Sequence, residues 1–242
     1  MLGGDYSITD TLPLIGRPRA TENLLNYAPQ MKSVLVTGGT VRLGKAIAER
    51  LKADGWRVLV SSHRADAGAD IVADLTQPLG AAKLYAAALE KLGGTPPDAL
   101  VNNAALFTGE EAAVRAVGYD APMKLTMMMA GRETGMGAVV NILDATVEKP
   151  VSAASSGYRE AKRDLAAYTL ASARLFAASL RVNAVSPGPV LAPAGLHEPA
   201  GETILDRRPA PEDVAAAVAY LLAAEATTGV VLPVDAGAHL LG

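Results

Sequence analysis

The sequence predicts an α/β fold in which helices cover both faces of one doubly wound parallel sheet. Short apolar runs of the length of buried strands alternate along the chain with helical stretches. The first apolar run, Ser33-Val34-Leu35-Val36, ends in glycines, as a buried parallel strand does before a helix. Such an alternation is typical of right-handed βαβ units. A chain of 242 residues suits a single domain with one substantial core.

Each element has its own signal. Seven strands are predicted from short apolar runs, namely Ser33–Val36, Val58–Val60, Ile71–Ala73, Ala99–Val101, Ala138–Ile142, Leu180–Val185 and Val230–Val234. Five helices are predicted from apolar spacing and from Gly or Pro at their ends, namely Arg42–Asp54, Ala81–Leu92, Pro122–Arg132, Tyr158–Ala178 and Pro211–Ala224.

Composition narrows the classes of function. The net charge of −3 does not favour a nucleic-acid or anionic-membrane partner. The absence of cysteine excludes disulfides, thiolate catalysis and cysteine-based zinc sites, and three scattered histidines make a poor metal site. No apolar run reaches the roughly 18 residues of a membrane span, and the start lacks the pattern of a signal peptide. We therefore expect a cytoplasmic protein that binds no metal, membrane or nucleic acid.

Residues 1–31 differ from the rest in composition. They are polar, contain three prolines and show no strong periodicity. We predict an N-terminal extension of unassigned role, followed by one dinucleotide-binding domain over residues 32–242.

The turn after the first strand is the first candidate site. It contains Thr37, Gly38 and Gly44, and it leads into a predicted helix. Glycines there allow backbone amides and a helix N-terminus to approach a pyrophosphate, as in Rossmann-type folds. Arg42 occupies the position of the usual middle glycine, so the plain three-glycine fingerprint is not met. A tight turn without a ligand is the alternative.

The end of the second strand indicates which dinucleotide binds. An acidic residue there would bind the ribose 2′-hydroxyl of NAD, whereas this chain has His63-Arg64. A guanidinium suits a 2′-phosphate by charge and geometry, so NADPH is favoured. Asp74-Leu75, after the third strand, is placed to meet the adenine ring. The alternatives are a solvated loop charge for Arg64 and a structural cap for Asp74.

Tyr158 and Lys162 form the candidate catalytic pair. They are four residues apart on a predicted helix and therefore share a face. A nearby ammonium should lower the pKa of a tyrosine hydroxyl from near 10, which would make it a better acid–base catalyst. The lysine can also bind a ribose hydroxyl.

These motifs, in this order, resemble those of the short-chain dehydrogenase/reductase family. The resemblance covers residues 32–242 and rests on Thr37–Gly44, Asp74-Leu75, Asn102-Asn103-Ala104, Tyr158 with Lys162, Arg181-Val182-Asn183, Ser186-Pro187-Gly188 and Val234-Asp235. It implies a homotetramer. It also implies that Leu43, Asn103, Ala104, Pro187 and Gly188 contact the cofactor.

Four departures from the plain family pattern resemble the pteridine reductases and dihydromonapterin reductases. They are Arg42-Leu43-Gly44 in the loop, His63-Arg64, Phe107 after Asn-Asn-Ala, and Asp144 at the usual serine position. The resemblance implies that Arg42 lies near cofactor phosphate and pterin, that Phe107 stacks the pterin, and that Asp144 joins Tyr158 in proton delivery. A pterin independently needs an aromatic shelf and hydrogen-bonding partners at its edge.

One departure weakens this interpretation. Many family members carry an asparagine four residues before a proline in the helix ahead of the fifth strand, where it supports a proton-relay water. Here Gly118 stands four residues before Pro122. The leading hypothesis is an NADPH-dependent pterin reductase. The alternatives are a carbonyl or quinone reductase and a non-catalytic NADP(H) sensor.

Overall fold

The computed structural model describes residues 31–107, 109–133, 135–148, 156–192 and 202–241. The predicted N-terminal extension lies outside the described residues, except for Met31. The strands are β1 (Ser33–Val36), β2 (Arg57–Ser62), β3 (Ile71–Val72), β4 (Ala99–Asn102), β5 (Gly137–Ile142), β6 (Leu180–Pro187) and β7 (Val231–Val234). The α-helices are α1 (Arg42–Ala53), α2 (Gly80–Lys91), α3 (Glu111–Arg115), α4 (Ala121–Ala130), α5 (Gly157–Leu175) and α6 (Pro211–Ala223).

The seven strands form one parallel sheet in the order β3-β2-β1-β4-β5-β6-β7. The predicted doubly wound α/β fold is therefore confirmed. The strand order reverses between β1 and β4, and open α/β sheets bind ligands in the crevice that such a reversal opens at the carboxyl ends of the strands.

Apolar side chains cover both faces of the sheet. On one face, Val34 and Val36 of β1 pack with Ile47 and Leu51 of α1, in a cluster that also contains the apolar side of α6. On the other face, Leu35 packs with residues of α2 and α4. Central strands buried on both sides explain the continuous apolar runs in the sequence.

The helix predicted over Pro122–Arg132 begins earlier than expected, at Glu111. Between α3 and α4 the chain forms a π-helical turn, Ala116–Asp120, closed by a bond from the Ala121 N–H to the Ala116 carbonyl. Proline has no N–H and crowds the preceding turn, so an α-helix tolerates it poorly in its interior. The π-helical turn directly before Pro122 lets one helical segment continue past that proline.

Among the described residues, no helix is long and apolar enough to cross a membrane. The same part of the chain holds no cluster of three His, Asp or Glu side chains with the geometry of a metal site.

Candidate active site

A cleft of about 950 Å³ lies at the carboxyl ends of the strands. This central cleft has the volume of a site for a cofactor-sized ligand. Of the predicted site residues, it is lined by Gly38, Arg42, Leu43, Gly44, His63, Arg64, Asp74, Leu75, Asn103, Ala104, Phe107, Asp144, Tyr158, Lys162, Pro187 and Gly188. Thr37 is buried behind the lining.

Thr37 joins the glycine-rich turn to the end of β4. Its hydroxyl accepts hydrogen bonds from the N–H groups of Asn103 (2.9 Å) and Ala104 (3.0 Å). The Asn103 side-chain amide donates in return to the carbonyls of Thr37 (2.9 Å) and Gly38 (3.1 Å). These bonds hold the turn and the Asn-Asn-Ala segment in one rigid unit on the floor of the cleft.

Two glycines of the turn are required by its geometry. Gly38 has a φ of +63°, which side chains other than glycine rarely adopt. A Cβ on Gly44 would overlap the Gly38 carbonyl oxygen, so α1 approaches the turn as closely as only glycine permits. Val41, directly before α1, has no polar side chain with which to cap the first amides of the helix. A phosphate would find such amides at the cleft.

Arg42 adopts an unusual conformation at the start of α1. Its φ is +50°, and its guanidinium Nη2 donates a 2.7 Å hydrogen bond to the carbonyl of Ala192, after β6. Arg42 therefore reaches from the glycine-rich turn to the opposite wall of the cleft.

The segment after β2 presents two basic side chains to solvent. His63 and Arg64 are exposed at the rim of the cleft, and the Arg64 guanidinium pairs with Asp66. Asp74 caps its own turn, because its carboxylate accepts from the N–H (2.9 Å) and hydroxyl (2.7 Å) of Thr76. The pKa of Asp74 is lowered mainly by these two bonds. The structural cap considered for Asp74 is therefore present, although the residue also lines the cleft.

Asp144 and Tyr158 meet at the inner end of the cleft. Asp144 follows β5, Tyr158 opens α5, and the Tyr158 hydroxyl donates a 3.1 Å hydrogen bond to the Asp144 carboxylate. The Phe107 ring lies on Tyr158, with 4.7 Å between ring centroids and an interplanar angle of 34°. Phe107 is 66% exposed, so its ring is not part of the hydrophobic core.

Lys162 is buried beneath this pair. Its Nζ donates a 2.6 Å hydrogen bond to the carbonyl of Ile142 and lies 5.8 Å from the centroid of the Tyr158 ring. Burial lowers the pKa of Lys162 to about 8, against an opposing effect of the Asp144 carboxylate.

The expected lowering of the tyrosine pKa is wrong for the free protein. The pKa of Tyr158 is raised above its usual value, first by burial, then by the charge of Asp144 and by the hydrogen bond to it. A negative carboxylate beside the hydroxyl opposes phenolate formation and adds to the effect of burial on the pKa of Tyr158. Tyr158 therefore holds its proton at neutral pH in the free protein, and it is a weaker acid than a free tyrosine.

Comparisons with known proteins identify the family. A family model described as enoyl-(acyl carrier protein) reductase matches residues 41–239. The chain belongs to the short-chain dehydrogenase/reductase family. The prediction from the motifs is thus confirmed.

Individual short-chain dehydrogenases and reductases resemble the chain over most of its length. Ketoacyl reductase 2 of the granaticin polyketide synthase from Streptomyces violaceoruber is 33% identical, over 88% of this chain and 98% of the relative. The NADP complex of FolM alternative dihydrofolate reductase 1 from Brucella canis has a TM-score of 0.73 and 29% identity, over 86% and 94% of the two chains. The same enzyme from Brucella suis, also with NADP, has a TM-score of 0.73, 30% identity and coverage of 86% and 95%.

Sequence reasoning missed two contacts at the site of this short-chain dehydrogenase/reductase. The pairing of Arg64 with Asp66 had a weak signal, since the two charges are two residues apart. The bond from Arg42 to Ala192 had none, because the partners are separated by 150 residues and the acceptor is a backbone carbonyl.

Gly118 lies in the π-helical turn, packed on α5. A Cβ at this position would come within 3.1 Å of the Ala161 Cβ, next to Lys162. An asparagine there would require Ala161 to move by a few tenths of an ångström. Close packing accounts for a residue without a side chain at the position where many family members carry asparagine.

Proposed function

We propose that the protein is an NADPH-dependent reductase that acts on the ring C=N bond of pterins. The observation that carries the proposal is the Asp144 carboxylate, hydrogen-bonded to Tyr158 in the cleft beside the Phe107 ring. A pterin edge carries ring nitrogens and an amino group that donate hydrogen bonds, and these match a carboxylate acceptor. A ketone offers only an oxygen, which becomes negative during reduction and would be repelled by the carboxylate.

The residues present fit the cofactor. The glycine-rich turn and the N-terminus of α1 would hold the pyrophosphate, and Arg64 with His63 would hold the 2′-phosphate. Lys162 would hold the nicotinamide ribose, and Asn103, Ala104, Pro187 and Gly188 would line its pocket. The bound cofactor would supply the hydride that reduces the carbon of the C=N bond, and it would be released as NADP⁺.

The side chains supply the proton that completes the reduction. Tyr158 keeps its proton in the free protein and would donate it to the ring nitrogen, directly or through water ordered with Asp144. Asp144 orients the hydroxyl and accepts from the pterin edge. Lys162, when protonated, stabilises the negative charge that remains on Tyr158 after the proton leaves.

The relatives support two chemistries. The two FolM structures were solved with NADP and are named as dihydrofolate reductases, and folates contain a pterin ring. A ketoacyl reductase among the relatives favours carbonyl reduction as the second candidate. Asp144 favours the pterin, because carbonyl reductases of this family more typically present serine at that position.

Substitution of Asp144 tests the proposal. Asp144→Ser should depress kcat/KM for dihydrobiopterin by at least about tenfold, which corresponds to the loss of one hydrogen bond to a charged group. It should leave the rate with a simple ketone unchanged or higher. Tyr158→Phe serves as the control, because it should nearly abolish both reactions while NADPH still binds. A wild type that reduces ketones briskly and no pterin at all would establish the carbonyl reductase.

A further inference from the structure

The Arg64 guanidinium already has a partner in the free protein. Its Nε donates to Asp66 Oδ1 (2.9 Å) and its Nη2 donates to Asp66 Oδ2 (2.7 Å), so the pair is bidentate. No prediction from the sequence included Asp66, and it is not part of the cleft lining.

The backbone after β2 brings the two charges together. Arg64 is extended (φ −99°, ψ 126°) and caps a one-turn 3₁₀ helix, Ala65–Ala67, which ends at Gly68 in the left-handed region. The Arg64 N–H donates to the Ser62 hydroxyl at 3.1 Å. The carboxylate of Asp66 therefore returns to the arginine within a single turn.

The pairing occupies one of the edges through which a guanidinium can bind phosphate with two N–H groups. A guanidinium binds a carboxylate or a phosphate through two parallel N–H groups, and here Nε and Nη2 are both engaged. A 2′-phosphate must displace Asp66 or share Arg64 with it, and it also meets the repulsion of the carboxylate. The 2′-hydroxyl of NADH is uncharged, so it meets no such repulsion.

We propose that Asp66 is a specificity-determining residue that lowers the preference for NADPH over NADH by competing with the 2′-phosphate for Arg64. This inference rests on the proposed use of NADPH. Both side chains are exposed, at 63% for Arg64 and 69% for Asp66, so the competition is moderate and is screened by salt. The ion pair sets how strongly Arg64 discriminates between NADPH and NADH. Substitution of Asp66 alone changes this discrimination.

The test is a set of binding titrations of the full chain with NADPH and with NADH, followed by fluorescence. Asp66→Asn should tighten NADPH binding by about two- to fivefold, because the free energy of an exposed ion pair corresponds to a change of that size. NADH should gain much less, so the ratio of the two affinities rises. Glu49→Gln is the matched control, because it removes one carboxylate from the exposed Lys45–Glu49 pair and should leave both affinities unchanged.

A double-mutant cycle shows whether Asp66 acts through Arg64. In an Arg64→Gln background, Asp66→Asn should change NADPH affinity by less than about twofold. An equal gain in both backgrounds, no gain in the wild-type background, or a loss of NADH affinity alone would each overturn the inference. If the wild type binds NADPH and NADH with equal affinity, and Arg64→Gln changes neither affinity, the assignment of NADPH as the cofactor is wrong.

Discussion

Phe107 and Tyr158 form an aromatic contact where the pterin is proposed to bind. Their ring centroids are 4.7 Å apart. A pterin ring can therefore stack on Phe107 only if Phe107 moves away from Tyr158. Because Phe107 is 66% exposed, this movement breaks few contacts. The residue is thus available as a shelf for an incoming ring.

Truncation of this shelf should weaken pterin binding. Stacking is worth about 0.5–1.5 kcal/mol beyond area burial, and the ring also supplies apolar contact area. We predict that Phe107→Ala raises the Kd of dihydrobiopterin by about tenfold or more, measured by titration of the unreactive NADP⁺ complex. Phe107→Tyr should restore binding, and the affinity for NADPH should barely change in either variant. A pterin Kd unaltered by Phe107→Ala would remove Phe107 from the site.

Lys162 gives the reaction an expected pH dependence. Its pKa of about 8 in the free protein means that its charge is lost as the pH rises through that value. We predict that kcat/KM for NADPH falls above about pH 8, because the neutral amine holds the ribose less well. In Lys162→Arg, whose side chain stays charged, the fall should move to higher pH. A profile that stays flat in the wild type well beyond that pH would contradict the assignment.

The same pKa predicts an opposite trend for stability. The folded-state pKa of Lys162 is lowered from 10.5 to about 8, so the unfolded chain binds more protons between these values. The free energy of unfolding therefore gains a contribution that rises with pH across this window. Chemical denaturation of the free protein at several pH values measures it, with Lys162→Met as the variant that should lack the rise.

At the scale of elements, Arg181 connects the sheet to the end of α6. Arg181 lies in β6, is 8% exposed, and donates to the carbonyls of Leu221 (2.9 Å), Leu222 (2.8 Å) and Thr227 (3.2 Å). The sequence identified this arginine only as part of a family motif. Its contacts give it a structural role in satisfying carbonyls at the C-terminus of a packed helix.

Removal of these donors should destabilise the fold. Each buried carbonyl left without a partner costs about 1–3 kcal/mol, partly offset by water entry. We predict that Arg181→Met lowers the free energy of unfolding by about 2–4 kcal/mol, measured by urea denaturation. NADPH affinity should be retained under native conditions. An Arg181→Met protein as stable as the wild type would show that the carbonyls find other donors.

Helices with a regular apolar spacing and a glycine or proline at their ends were predictable from the sequence. The helical segment with a proline inside it was not. Helix α1 follows from Leu43, Ile47 and Leu51, with Gly55 after its end. The sequence does not predict the helical segment from Glu111, because Pro122 is typical of a helix start and local patterns do not reveal a π-helical turn. The strand order is also absent from local periodicity, since it depends on pairing between distant segments.

The site shows the same division. The approach of Asp144 to Tyr158 agrees with the resemblance to pteridine reductases, which implies that the two residues act together in proton delivery. The direction of the Tyr158 pKa shift was predicted wrongly, since spacing along a helix reveals the neighbouring lysine but neither burial nor the orientation of Asp144. Proximity in sequence identifies which charges are near, and only the fold decides which of them prevails.

At the scale of the whole molecule, several large apolar side chains of the described helices are exposed. Leu170 and Leu175 on α5 are 50% and 74% exposed, and Tyr220 on α6 is 60% exposed. Large exposed apolar groups favour an interface between subunits. We predict the homotetramer that the family resemblance implies. Light scattering should give a mass near four times the 24.8 kDa of one chain, and a monomer at micromolar concentration would contradict it.

The proposed activity of the whole protein is the reduction of a pterin with NADPH. The most direct measurement is the steady-state rate of NADPH oxidation with dihydrobiopterin, together with the amount of tetrahydrobiopterin formed. We predict turnover in which one tetrahydrobiopterin is formed per NADPH consumed. We also predict a kcat/KM for the pterin at least about tenfold above that for a simple ketone. No tetrahydrobiopterin above the enzyme-free background, from protein that binds NADPH, would contradict it.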